Sequence, residues 1–231
     1  MKKILFLLSV LICLVACQKP QEQSFIGTDI GSVSMNTTFK LHDFNGHIRT
    51  LEDFKGKVVV LFFGFTHCPD ICPTTMIDLK KTMALLKDKA SAVQVVFITL
   101  DPARDTEAVL KKFIPAFNDS FIGLTGSEAD IDKVASQFKI FHKKVNDGSK
   151  AGYTIDHSAG LYIINKDGKV KLHMSNEQKP EEMASDLAKL IWPTRYKSLE
   201  SVLSSFSDER YSGSTFSTSS QKRFEWFISL R

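Results

Sequence analysis

The sequence predicts an α/β fold, and three observations carry that prediction. Two apolar runs, residues 58–63 and 93–100, read as buried strands. Helix-forming stretches follow each of them, at about 74–89 and 105–117. Residues 161–164 and 169–172 then flank Asn165-Lys166-Asp167-Gly168 as a hairpin, before a last helix at 181–191. Strand–helix–strand–helix, a hairpin and a closing helix is the order of a thioredoxin-like fold, here with an N-terminal β-hairpin extension.

The elements follow in order. Residues 1–16 combine the basic start Met1-Lys2-Lys3, an apolar stretch too short to span a bilayer, and Ala16 before Cys17. That pattern is a secretory signal of the lipoprotein type, with Cys17 as the lipidated first residue; an uncleaved membrane anchor is the alternative. Residues 17–36 are polar and suit a linker, and 37–192 form the domain. Asn45-Gly46, between Phe39-Lys40-Leu41 and His47-Ile48-Arg49, marks a tight hairpin turn. Met76, Leu79, Met83 and Leu86 make one stripe of the first helix. Asp105 or Thr106 caps the second, residues 121–124 form a short strand, and a third helix runs from Ser127 to about Phe138. Residues 141–155 read as an exposed loop. Trp192 ends the last helix and Pro193 stops it; residues 193–231 are serine-rich and read as a disordered tail. The formal charge falls from +4 to about +2 once Lys2 and Lys3 leave with the signal, and no basic block with interleaved aromatics appears, so nucleic acid is excluded as a partner.

Cysteine usage points to the chemistry. Of Cys13, Cys17, Cys68 and Cys72, the first leaves with the signal and the second carries lipid, so only Cys68 and Cys72 remain as thiols. They stand where the first buried strand gives way to a helix, a setting that favours the thiolate. Their C-x-x-x-C spacing suits metal ligands better than the redox spacing C-x-x-C. Outside the cytoplasm a free pair oxidises unless a partner reduces it or a metal protects it.

Three segments carry a family resemblance. They are Phe63-Gly64-Phe65-Thr66-His67-Cys68-Pro69-Asp70-Ile71-Cys72-Pro73-Thr74, then Leu100-Asp101-Pro102-Ala103-Arg104-Asp105-Thr106, and Asp156-His157-Ser158 ahead of Leu161-Tyr162-Ile163-Ile164. In this order, over roughly residues 25–191, the chain resembles the SCO/SenC family. Those are membrane-tethered, thioredoxin-like copper-binding proteins that help assemble the binuclear copper site of cytochrome c oxidase. The resemblance implies a metallochaperone on the periplasmic side of a membrane, and leaves open a thiol–disulfide reductase activity. It places copper ligands at Cys68, Cys72 and His157, with one Cu(I) or Cu(II) per chain. It also implies a copper-accepting partner, the oxidase's copper-bearing subunit or another protein, and a thiol reductant. Two thiolates suit Cu(I), and an imidazole lets the site hold Cu(II).

Geometry agrees, with one complication. On a first helical turn the two cysteine Cβ atoms would lie ~5–6 Å apart, wider than the ~3.5–4.5 Å of a disulfide. Pro73, however, disfavours helical geometry at Cys72, so the pair can lie in a loop that bends, and a Cys68–Cys72 redox disulfide stays accessible. Other readings stand beside these. The cysteines could be structural, and His157 an ordinary hydrogen-bonded residue. Asp156 could orient the His157 imidazole or be an exposed turn acid. His67 points away from its neighbour Cys68, Met76 is a core thioether, and His42, His47, His142 and His173-Met174 belong to the surface. Arg104 could steady a carboxylate, and Asp105 reads as a cap. The rival function is a thiol–disulfide oxidoreductase keeping acceptor cysteines reduced. Against it, no proline lies between Pro115 and Pro180, where such enzymes place one opposite the thiols. A thiol peroxidase would need an Arg and a Thr around its thiolate that Thr66-His67-Cys68-Pro69 does not clearly supply.

Overall fold

In the computed structural model the described residues are 24–192, without 36, 147 and 149–151. The elements are β1 (Thr28–Asp29), β2 (Lys40–Asp43), β3 (Ile48–Thr50), β4 (Val58–Gly64), α1 (Ile71–Leu86), β5 (Val93–Thr99), α2 (Glu107–Phe113), β6 (Ile122–Thr125), α3 (Glu128–Gln137), β7 (His142–Val145), β8 (Thr154–His157), β9 (Leu161–Ile164), β10 (Val170–Met174) and α4 (Pro180–Ile191). Eight strands form one sheet in the order β1-β10-β9-β4-β5-β6-β2-β3, and β7 pairs with β8 separately. This is the predicted α/β architecture, hairpin extension included.

β4 and β5 are buried at every position, which is why their sequences are continuous apolar runs rather than alternating ones. They pair in parallel from Val58↔Val93 to Gly64↔Thr99, and β9 pairs antiparallel to β4 on its other side. Alternate side chains of β4 serve opposite faces: the Phe62 ring meets Phe97, and Phe63 meets Phe138. Each such fully buried aromatic contributes roughly 1.5–3 kcal/mol, so β4 is a fixed rail on which the cysteine segment is mounted. On α1 the predicted stripe Met76, Leu79, Met83 and Leu86 is buried, and the helix packs against α4.

Four differences from the sequence reading have physical causes. Thr28–Asp29, inside the expected linker, adds an edge strand to β10, because the amides of Ile26 and Gly27 are held by the buried Asp186 carboxylate. α1 begins at Ile71, three residues early: Pro73 falls in the first turn, where its missing N–H has no partner to lose. The same helix ends at Leu86, and a 3-10 turn, Lys87–Ala92, follows. The stretch expected to be a loop at 141–155 contains β7 and the first half of β8. Lys143, Lys144 and Val145 are exposed, and the side-chain contacts of β7 are polar, Lys144 with Glu128 and His142 with Asp132, so no apolar periodicity announces the strands. The signal at 1–16, Cys17 and the tail 193–231 lie outside the described residues. Among the described residues no helix is long and apolar enough to cross a membrane.

The last residue of β4 admits no side chain. A Cβ on Gly64 would stand 2.9 Å from Cys72 Sγ and 3.0 Å from the Phe97 ring. Gly64→Ala must therefore push Cys72 or Phe97 aside at ~1–3 kcal/mol. A thermal melt should show a midpoint lower by about 2–4 °C per kcal/mol, with Cys72 more reactive to thiol reagents. An unchanged midpoint with unchanged reactivity would contradict the close packing.

Candidate metal centre

The segment between β4 and α1 carries the two cysteines on the end of the buried rail. Cys72 is the second residue of α1 and is fully buried; Cys68 is half-buried in the turn before it. The first N–H groups of a helix have no carbonyl to meet, and the residue preceding α1, Asp70, makes no side-chain bond to them. The Cys68 sulfur takes that place, accepting the Cys72 N–H at 3.4 Å. Both cysteines are free thiols in this structure.

The two sulfurs are unequal. The Cys72 thiol donates to the Cys68 sulfur, which is the main cause holding the Cys68 pKa down at about 5. Burial opposes the shift, while the N–H groups of Cys72 and Asp70 and the charge of a protonated His157 add to it. Cys72 is pushed strongly upward by that same hydrogen bond and by burial, against the Phe65 N–H, and further by the charges of Cys68 and Asp105. At neutral pH the pair is one thiolate at the surface and one thiol beneath it, sharing a proton.

His157 ends β8 and reaches the site from another direction. Its Nδ1 lies 2.9 Å from the Ser158 carbonyl oxygen; donation there leaves the Nε2 lone pair for a metal. The ring stands edge-on to Phe65 with centroids 5.9 Å apart. Gly160, at φ +128°, makes the turn from β8 into β9, a conformation that L side chains rarely adopt. Asp156 is exposed and pairs across the hairpin with Lys143, so the imidazole is oriented by the Ser158 carbonyl, not by Asp156. Among the described residues no three His, Cys, Asp or Glu side chains converge closely enough to hold a metal as they stand. The sulfurs meet, and His157 is near enough for its charge to bear on Cys68.

Two residues matter more than their sequence suggests. Asp105 does not cap α2; Thr106 does, accepting from the Val109 N–H. The Asp105 carboxylate is instead fully buried, accepting the Thr66 N–H at 2.9 Å, the Thr66 hydroxyl at 2.5 Å and the Thr99 hydroxyl at 2.7 Å. It fixes the start of the cysteine segment to β5. Tyr153, expected in a loop, donates its hydroxyl to Asp101 at 2.8 Å, while Arg104 pairs with Asp101, stacks 3.8 Å over the Tyr153 ring and donates to its carbonyl at 2.9 Å. The segment after β5 is thereby tied to the chain leading into β8 and His157.

The remaining candidates are accounted for. His67 is hydrogen-bonded to Thr66 and lies 3.8 Å from Asp105. Met76 is a buried core residue, and so is Met174. His173 packs on Tyr162. His42 makes a surface pair with Glu107, the exposed His47 pairs with the buried Asp43, and His142 pairs with Asp132.

Comparison with known proteins follows the same lines. A family model described as SCO1/SenC matches residues 28–192. The chain is 39% identical over 153 residues to an SCO2-like protein of Rickettsia felis, covering 66% of this chain and 75% of the relative. Its fold matches that of Bradyrhizobium japonicum ScoI, solved with copper bound, at TM-score 0.63 and 36% identity, over 68% of this chain and 99% of that one. A SCO1/SenC family lipoprotein from Bacillus anthracis matches at TM-score 0.61 and 28% identity, over 72% and 99%. BsSco, described with a disulfide switch and as a member of the Sco family of cytochrome c oxidase assembly proteins, matches at TM-score 0.57 and 26% identity, over 74% and 98%. A thioredoxin-like sheet, an unequal thiol pair just past the end of its central strand β4 and these matches place the chain in the SCO1/SenC family.

Proposed function

We propose that the chain is a membrane-tethered copper metallochaperone whose cargo is held by Cys68, Cys72 and the Nε2 of His157. One observation carries the reading: a half-exposed thiolate, Cys68, stands over a buried thiol, Cys72, just past the end of the buried central strand β4. The donor set suits copper, soft sulfur for Cu(I) and imidazole for Cu(II). Relatives of this family have been solved with copper bound.

The steps follow from the asymmetry. Cys68 meets incoming Cu(I) first, since it is already deprotonated and reaches solvent. Cys72 then gives up its proton to become the second ligand, so loading near neutral pH releases about one proton per copper. Two sulfurs and one nitrogen leave the ion accessible to an acceptor's ligands, which replace the chain's own one at a time. The acceptor in this reading is the copper-bearing subunit of cytochrome c oxidase, and Cys17 carries the lipid that keeps the domain at the periplasmic face; the description of BsSco as an oxidase assembly protein supports the first as far as the oxidase, and that of one relative as a lipoprotein supports the second as far as the lipid.

A second reading has its own observation. A low-pKa surface thiol backed by a buried one is also the arrangement of a thiol that attacks and a thiol that resolves, and BsSco is described with a disulfide switch. In that reading the chain reduces the acceptor's cysteines and a separate reductant restores Cys68 and Cys72.

Anaerobic titration of the reduced protein with Cu(I), and separately with Cu(II), separates the two. We expect one copper per chain, binding abolished in Cys68→Ala and Cys72→Ala and weakened in His157→Ala. Poor binding in wild type and variants alike, with fast reduction of a protein disulfide by the wild type, would install the oxidoreductase instead. Asp105→Asn keeps one oxygen for the Thr66 N–H and the Thr99 hydroxyl, turns an amide N–H toward the Thr66 hydroxyl oxygen, and removes a charge facing Cys72, so the pH at which Cu(I) loading is half complete should fall. A rise, or no change, would remove Asp105 from the electrostatics of the site. Labelling of whole cells with a fatty acid should mark the wild type and spare Cys17→Ala; equal labelling would place the anchor elsewhere.

A further inference from the structure

β7 and β8 pair so that His142 lies directly opposite His157. The neighbouring pair, Phe141 and Ser158, is joined by the Ser158 N–H donating to the Phe141 carbonyl at 2.9 Å. In an antiparallel ladder hydrogen-bonded and non-hydrogen-bonded pairs alternate, so His142 and His157 occupy a non-hydrogen-bonded pair, whose Cα atoms are ~4.5 Å apart. Side chains of such a pair leave on the same face, with Cβ atoms about 4.5–5.5 Å apart. Two imidazoles thus start from adjacent points on the face that carries the proposed ligand.

His142 is also oriented. Its Nε2 lies 2.9 Å from Asp132 Oδ1, and only 21% of the side chain is exposed although the residues following it in β7 are exposed. A carboxylate that accepts the Nε2–H leaves the lone pair on Nδ1. An imidazole whose other nitrogen is held by a carboxylate is the usual condition of a metal-binding histidine. The pair with Asp132 ties β7 to α3 through Nε2 and leaves Nδ1 unused by the proposed cargo transfer.

We propose that His142 is a second imidazole of the copper centre, adding its Nδ1 when the site holds Cu(II). This rests on the copper reading above. Cu(I) is satisfied by the two sulfurs with little help, whereas Cu(II) favours four ligands in a tetragonal arrangement with nitrogen among them. Cys68, Cys72, His157 and His142 supply that set. The consequence is a grip that depends on the metal's charge: Cu(II) would be held by four groups, whereas Cu(I), held by the two sulfurs and His157, leaves His142 free and the ion open to an acceptor.

Pulsed EPR of the Cu(II)-loaded full chain counts coupled imidazoles directly. The wild type should show two, His142→Ala and His157→Ala one each, and the double variant none. In His142→Ala the Cu(II) affinity should fall about 10–100-fold, the size of effect seen when support for a metal ligand is lost, while the Cu(I) affinity changes far less. A single imidazole in the wild-type spectrum, unaltered in His142→Ala, would overturn the proposal without any variant having to fold. If that one imidazole disappears in His157→Ala and copper is lost in the cysteine variants, the proposed function stands and only His142 is excluded. If copper stays bound in Cys68→Ala and Cys72→Ala, both proposals fall together.

Discussion

The hydrogen bonds that meet at the Cys68 sulfur are the constraint on which the site depends. That sulfur takes the N–H of Cys72 and the thiol proton of Cys72, and so serves at once as the cap at the start of α1 and as the charged half of the pair. Helix capping and thiolate stabilisation are here a single interaction: the unsatisfied amides of the first turn need an acceptor, and the acceptor they receive is one that a soft metal also wants. Pro73 fits the same arrangement, because in the first turn its lack of an N–H leaves one donor fewer to satisfy.

The interaction holds its geometry because both ends are fastened. Beneath Cys72, Gly64 lets the sulfur lie against the end of β4, a strand without an exposed residue. Ahead of Cys68, Thr66 is held to Asp105 by its amide and its hydroxyl, and Thr99 of β5 holds the same carboxylate. The buried carboxylate has a double effect: it anchors the segment, and its charge helps keep Cys72 protonated. On the far side, Asp101, Arg104 and Tyr153 connect β5 to the approach into β8. The imidazole side of the site is therefore mounted on the same two central strands as the sulfur side, through a separate set of contacts.

Much of this was legible in the sequence where burial dictates residue type. The continuous apolar runs of β4 and β5, the stripe of α1 and the Asn-Gly turn all follow from hydrophobic period or backbone freedom, and the cysteines at the strand's end follow from their place after 58–63. What was not legible is polar. β7 has only the half-buried His142 ahead of three exposed residues, and β8 only Ile155 fully buried, so the pattern resembles a loop. Asp105 stands one residue before a helix, where a cap is the economical reading; only the fold shows that Thr66 and Thr99 close around it. Asp156 was offered as the partner of His157 by adjacency, yet alternation along a strand turns neighbours to opposite faces, and a backbone carbonyl does the orienting instead. The edge strand at Thr28–Asp29 was missed because a two-residue strand has no period to detect.

The unequal protonation of the cysteine pair is the claim on which loading, transfer and the redox alternative all turn. It is tested most directly by alkylating the reduced, metal-free protein across a pH series and following each cysteine separately by mass spectrometry. The account predicts that Cys68 becomes reactive with a midpoint near pH 5, reached as its thiolate forms on raising the pH, while Cys72 stays protected far above neutrality. Two cysteines that titrate together near the ordinary thiol value of about 8.5 would contradict it, and with it the shared proton from which the site was built.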